Sequence, residues 1–246
     1  MFKDKTIWLI GANSDIALSF VKLYGSSFGR IVLATRNPNK TRELLRNTAL
    51  NNTEICYIDL TDINSINTFL AQKETPYGII FFAGWIEYLD KCENNSQDNI
   101  LNTIQVNYLN TVMFVEKISD AMRANSEGFI CTLASAGEIR GKYSTRFYTS
   151  SKKAITSYFE GMMQKNEKFS IKTIIIKLGH VDTKMFKKSP HTKKTFLITS
   201  ADKVADFLFK CIKKEKSMIK YQLPIWRVIA IVFRLLPLSI YNKLDL

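Results

Sequence analysis

Residues 6–20 read TIWLIGANSDIALSF: an apolar run, one glycine, a short polar turn, then apolar residues at helical spacing. The run TIWLIG (6–11) has the β-branched and aromatic content of a strand, and Ser14 to about Tyr24 has the period of a helix. A strand that turns through a glycine into a helix sets unpaired N–H groups and a positive dipole end at the strand's carboxyl end, where α/β proteins hold phosphate. A complete dinucleotide fingerprint would have glycine at positions 15 and 17, where this chain has Asp15 and Ala17. Ala17 is small enough for the helix to pack close to the strand. Asp15 fits a carboxylate capping the first turn. On this stretch alone two readings stand: a nucleotide site formed by Gly11, Asn13, Ser14, Asp15 and Ile16, or a capped helix with no ligand.

The rest of the chain repeats the pattern. Apolar runs at 30–35, 54–60, 77–84, 128–135, 171–179 and 217–223 alternate with helical stretches at about 37–47, 61–72, 96–124, 145–165 and 200–213. The runs are continuous and not alternating, as in parallel strands covered on both faces. The expectation is an α/β, doubly wound fold with a parallel sheet in residues 1–224 and a C-terminal apolar helical tail in residues 225–246. With 246 residues the chain is long enough to bury a large core. Four cysteines, Cys56, Cys92, Cys131 and Cys211, lack metal-ligand spacing, and His180 and His191 are the only histidines, so no metal is expected. Free thiols and the absence of a signal-peptide core at the N-terminus fit a reducing cytoplasm. A net charge of +13 points to an anionic partner: a membrane surface, a phosphorylated substrate or a nucleic acid. Basic residues spread over the chain without an aromatic platform disfavour nucleic acid.

The stretch SAGEIRGKYSTRFYTSSKKAI (135–155) decides between the two readings of the first loop. Tyr148 and Lys152 are four apart on one helix and share a face, and Ser135 ends the preceding strand. A lysine ammonium beside a phenol favours the phenolate and tunes the tyrosine for proton transfer near neutral pH. A serine hydroxyl alongside holds a carbonyl or alcohol oxygen. A Tyr–Lys pair at helical spacing is common on solvated faces; the serine upstream at a strand end is what makes the set specific.

With these residues the chain resembles the short-chain dehydrogenase/reductase family over about residues 5–223. The resemblance implies a Rossmann fold with a seven-stranded parallel sheet and an NAD(P)-dependent oxidoreductase. It implies that Tyr148 is the general acid, that Ser135 polarises the carbonyl, that Lys152 binds ribose and tunes Tyr148, and that Asn107 in IQVNYLNTV holds a relay water. It places Asp59 and Leu60 at the adenine, Ala83 and Gly84 beside adenosine, and Gly179, Val181 and Thr183 at the nicotinamide. Two departures stand out. Phe81 and Phe82 replace a frequent asparagine pair, and Leu178 replaces the proline of the family's proline–glycine segment. The loop form G-x-x-S-[DE]-I-[GA] is that of a subset of the family, with Asp15 as helix cap. Family members are often dimers or tetramers.

The end of the second strand reads LATRNPNK, with Arg36 and no acid to hold a ribose 2′-hydroxyl, so NADP(H) is favoured over NAD(H), with adenine stacking as the other use of Arg36. Residues 183–196 carry Lys184, Lys187, Lys188, Lys193 and Lys194. They read as a substrate lid whose lysines, Lys187 and Lys188 foremost, receive a substrate phosphate, or as a solvated loop. The tail holds Trp226, Arg227 and Arg234 among apolar residues. It reads as an amphipathic helix in a membrane interface, at the inner face of the membrane, or as a helix packed on the domain or on a partner subunit. The loop and tail patterns together resemble the decaprenylphosphoryl-2-ketoribose reductase branch of the family. That implies reduction of a keto group on a phosphorylated or lipid-linked sugar in cell-surface polysaccharide synthesis. A reductase of 3-oxoacyl or other apolar ketones, and a non-catalytic NADP-binding regulator, are the alternatives.

Overall fold

Alternate residues of the first strand feed opposite faces of one sheet: Ile7 and Leu9 enter one apolar core, Trp8 and Ile10 the other. This is why the strands read as unbroken apolar runs. The computed structural model describes residues 2–48, 51–87, 97–188 and 197–243. Its strands are β1 (Phe2–Ile10), β2 (Phe28–Thr35), β3 (Thr53–Tyr57), β4 (Gly78–Phe81), β5 (Gly128–Ser135), β6 (Ile171–Leu178), β7 (Val181–Asp182), β8 (Thr199–Ser200) and β9 (Met218–Tyr221). Seven of them form a wholly parallel sheet in the order β3-β2-β1-β4-β5-β6-β9. The small pair β7–β8 was not foreseen from the sequence; two-residue strands leave no periodic signal.

Helices α1 (Asp15–Tyr24) and α8 (Ala201–Ile212) cover one face through Phe20, Val21, Leu208 and Ile212. The other face is covered by α3 (Ile63–Ala71), α5 (Asn110–Asn125) and α6 (Arg146–Asn166), through Phe69, Phe114 and Phe159. Helix α2 (Pro38–Leu44) starts on an Asn37 cap with proline in its first turn. The expected long helix over 96–124 is observed as α4 (Gln97–Ile104), a π-helical turn (Gln105–Leu109) and α5. The short helix α7 (Lys184–Lys187) follows β7, and α9 (Pro224–Leu235) and α10 (Leu238–Tyr241) form the tail. The strand order reverses between β1 and β4, so the loops after these two strands part and leave a crevice at their carboxyl ends.

One strand end is corrected. The third strand stops at Tyr57, not Leu60, because the Asp59 carboxylate accepts from both the N–H and the hydroxyl of Thr61 and turns the chain. Cys131 and Cys211 are core thiols, whereas Cys56 is half-exposed at the sheet edge and donates to Glu54. Cys92 and His191 lie outside the described residues.

Candidate active site

The crevice opens into a cavity of about 1150 Å³ that runs from the end of β2 to the tail. At its first end, Gly11 adopts φ +89°, and a Cβ there would lie 2.5 Å from the backbone nitrogen of Ala83. Glycine is required on both counts, and the bare backbone leaves the N-terminus of α1 open to a phosphate. Asn13, Ser14, Asp15, Ile16, Arg36, Asp59, Leu60, Ala83 and Gly84 all line this end. Asn13 is tied to α2, accepting from the Thr41 hydroxyl. Asn110 donates to the Leu60 carbonyl at 2.7 Å and fixes the floor. The Arg36 guanidinium lies 5.2 Å from the ring centre of Trp85.

Asp15 does not act as the helix cap expected of it. The N-cap of α1 is Ser14, with no side-chain capping bond, and the Asp15 carboxylate reaches across the crevice to the lid. It accepts from the Lys184 backbone N–H at 2.6 Å, and the Lys184 ammonium lies 3.5 Å from its other oxygen. At the first helical position the side chain projects away from the helix's own free N–H groups, so it serves another segment's helix start instead.

The chemical end is formed by β5, α6 and the π-helical turn. Ser135 closes β5 and its hydroxyl oxygen accepts from the Gly137 N–H at 3.1 Å, which leaves the hydroxyl proton to donate into the cavity that the residue lines. One turn of α6 apart, Tyr148 and Lys152 line the same cavity, with the Lys152 ammonium 5.8 Å from the centre of the Tyr148 ring. Lys152 is buried and donates to the Leu133 carbonyl at 2.9 Å. Burial lowers its pKa from 10.5 to about 8, and the nearby Glu138 carboxylate opposes that fall. Asn107 lies in the π-helical turn. Its amide donates to the Trp85 carbonyl and to the Ser151 hydroxyl, and its oxygen accepts from the Trp85 N–H at 2.8 Å. The side chain therefore pins the strand-end loop at Trp85 and has one oxygen lone pair left for a water.

Gly179, Val181, Thr183, Lys184 and Lys188 line the lid side. A Cβ on Gly179 would fall within 2 Å of the Trp226 indole, so this glycine makes room for the tail. Thr183 caps α7 by accepting from the Phe186 N–H. Lys187 is turned away and lies 3.4 Å from Asp182, which separates it from the cavity-lining Lys188. Lys193 and Lys194 lie outside the described residues.

The tail packs on the domain, one of the two readings of its sequence, and adds a cavity wall that the sequence did not show. The inner face of α9 brings Trp226, Ile229 and Phe233 into the cavity wall, and Tyr241 of α10 joins them. Arg140 holds it there, donating to the carbonyls of Arg234 and Leu236 at 3.1 and 2.5 Å at the C-terminal end of α9, where helix carbonyls lack partners of their own. The Tyr241 hydroxyl donates to the Gly141 carbonyl. Outward, Ile225, Val228, Ile231, Val232, Leu235 and Leu238 are exposed. Among the described residues no helix is long and apolar enough to cross a membrane, and no cluster is suited to a metal.

A family model described as short chain dehydrogenase matches residues 5–194. An uncharacterised oxidoreductase of Staphylococcus aureus is 23% identical over 73% of this chain and 79% of its own length. The mouse dehydrogenase/reductase SDR family member 7B is 23% identical over 87% of the chain and 72% of its own. Among solved structures, a short chain dehydrogenase from Burkholderia cenocepacia in complex with NADP superposes with a TM-score of 0.82 over the full length of both chains at 16% identity. A 3-oxoacyl-[acyl-carrier protein] reductase from Brucella melitensis gives 0.75 over 89% of this chain and 90% of its own, at 15% identity.

Proposed function

The chain belongs to the short-chain dehydrogenase family and is an oxidoreductase of that family; from this premise we propose that it is an NADPH-dependent reductase of a keto group carried on a phosphorylated or lipid-linked sugar, acting in cell-surface polysaccharide synthesis. The observation that carries the reading is the buried Lys152 ammonium beside Tyr148, with Ser135 lining the same cavity. Gly11 and the open start of α1 fit a dinucleotide pyrophosphate, and Arg36 at the end of β2 fits a ribose 2′-phosphate. Bound reduced nicotinamide supplies the hydride. Ser135 donates to the carbonyl oxygen, Tyr148 gives that oxygen a proton, and Lys152, held charged, favours the phenolate left behind. Asn107 holds the Trp85 loop and offers its remaining lone pair to a relay water.

Two features support the substrate class. Lys184 and Lys188 line the mouth and suit a phosphate, and Trp226, Ile229 and Phe233 form an apolar far wall that suits a lipid chain. The apolar wall also suits a 3-oxoacyl substrate, which is the second reading. The exposed apolar face of α9 with Arg227 and Arg234 supports peripheral contact with an anionic membrane at its cytoplasmic face. A dimer or tetramer is the assembly we propose, in keeping with the family resemblance.

Fluorescence titration tests the cofactor. NADPH should bind more tightly than NADH, and Arg36→Ala should weaken NADPH about 10- to 100-fold while leaving NADH unchanged, the loss expected for a charge-assisted contact to phosphate. Equal weakening of both nucleotides would assign Arg36 to adenine stacking. Membrane contact is tested by flotation with phosphatidylglycerol vesicles. The variant Val228→Glu/Ile231→Glu, both positions on the outer face, should lose flotation and keep NADPH affinity; retained flotation would refute the contact, and a change in mass by light scattering would assign the face to a second subunit.

A further inference from the structure

Behind the serine lies a buried ion pair that the proposed mechanism does not use. Glu138, in the turn that follows β5, is 4% exposed. One of its oxygens lies 2.8 Å from the Lys177 ammonium, itself nearly buried, on β6. The other accepts from the Thr156 hydroxyl on α6 at 2.9 Å and from the Ser135 backbone N–H at 3.4 Å. Ser135 and Glu138 together form a capping box, the serine oxygen bonding within the turn while the glutamate reaches back to the serine's own N–H. Strand register sets Ala134 opposite Lys177 and Ser135 opposite Leu178, so the pair sits directly beneath the end of β5. Glu138 is also the charge that acts on Lys152.

We propose that Glu138 is a positioning residue for this site: its carboxylate, anchored by Lys177 and bonded to Thr156 one turn beyond Lys152 on the same face of α6, fixes the turn that presents Ser135 and places a negative charge on the Lys152 side of that helix. The kinetic side of this rests on the reductase reading; the electrostatic side does not. A buried carboxylate is costly unless it is paired and fully hydrogen-bonded, and here three elements contribute partners. The pair could be replaced by apolar residues if it served packing alone, often at no loss of stability. What apolar residues cannot replace is a negative charge next to a lysine that burial drives towards neutrality. Among the described residues, the charged and titratable groups that touch Glu138 or Lys152, or lie beside them, include Tyr148 on α6, Lys177 on β6, Arg140 in the same turn as Glu138, and Tyr221 on β9, whose ring lies 5.7 Å from the Lys177 ammonium.

The test uses the full chain labelled with 13C,15N-lysine. The Lys152 side-chain signal, identified by its loss in Lys152→Met, is titrated by NMR. In Glu138→Gln the midpoint should move below the wild-type value, because the amide fills the same space and keeps an acceptor on one side only, while the charge is removed. Glu138→Gln/Lys177→Met serves if the single variant does not fold; losing the Lys177 charge offsets part of the loss of the carboxylate, so its midpoint should move down by less. An unmoved midpoint in the variant that folds overturns the proposal and leaves Glu138 a packing residue. In parallel, NADPH-dependent reduction of 2,3-butanedione is followed at 340 nm. Its kcat/KM should fall about tenfold in Glu138→Gln at pH 7.5, and the alkaline decline in rate should begin at lower pH. If the wild type does not reduce this probe, the reductase reading loses support, while the titration still decides the role of Glu138.

Discussion

Replacing Tyr148 by phenylalanine should lower kcat/KM for carbonyl reduction about 10³-fold while leaving the dissociation constant for NADPH unchanged. The phenol is the proton donor in the proposed reaction, and positioned general acids contribute factors of about 10² to 10⁴. The remaining ring still fills its place on α6 above Lys152, so the cavity keeps its shape. The loss belongs in kcat, because the proton moves only in the transition state and contributes nothing to holding the cofactor. Stopped-flow fluorescence for binding and single-turnover absorbance for chemistry separate the two. A loss confined to KM, or a weakened cofactor with normal kcat, would move the proton donor to another group lining the cavity.

Lys152→Met should have two opposite effects: activity falls by at least about 10³-fold and the protein melts at higher temperature. The lysine is buried with its pKa lowered to about 8 by burial, against 10.5 in water. Linkage fixes the sign. The folded chain binds the proton less readily than the unfolded chain, so below pH 8 this group costs stability, about 3 kcal/mol at neutral pH. The cost fades as pH rises from 8 towards 10.5, where both states lose the proton. Methionine fills the space without a charge but forfeits the bond to the Leu133 carbonyl, so a gain of a few degrees in Tm is expected at pH 7. That gain should shrink above pH 9, and calorimetry at the two pH values checks it. A variant less stable than wild type at pH 7 would mean that the Leu133 and Glu138 contacts outweigh the burial cost. Activity at a price in stability is the usual compromise of a catalytic site.

The parallel sheet was legible in the sequence because apolar runs bounded by turn residues report local physics, though the ends of β3 and β4 were not. β5 and its final Ser135 were placed at their residues, and the seven strands are those that the runs announced. Tyr148 and Lys152 are legible through helical spacing together with Ser135 at the preceding strand end. The features that escaped are those set by distant segments. Nothing near Asp15 in the chain shows that its partner is Lys184, and the apolar spacing of residues 225–235 does not say which of its two faces meets the cavity. The π-helical turn around Asn107 carries no periodic mark in eight or ten residues. Glu138 is different: S-x-x-E at 135–138 is the capping-box pattern, and that signal was present in the sequence though unused. Lys187 and Lys188 are neighbours in sequence, yet one step along the backbone sends their side chains to different surroundings.

The closing of the site by the tail bears on how the chain acquires its activity. The bonds that complete the cavity join residues far apart in sequence: Arg140 to Leu236 across 96 residues, and Asp15 to Lys184 across 169. The sheet, by contrast, grows by adding each strand beside one already in place, with β1 and β2 separated by a single helix. Contacts of long separation form late, because closing large loops costs entropy before any packing repays it. During synthesis the first strands and their helices have a core to fold upon while the cavity still lacks its far wall. The cavity is therefore complete only once residues 226–241 are docked against the turn at Arg140.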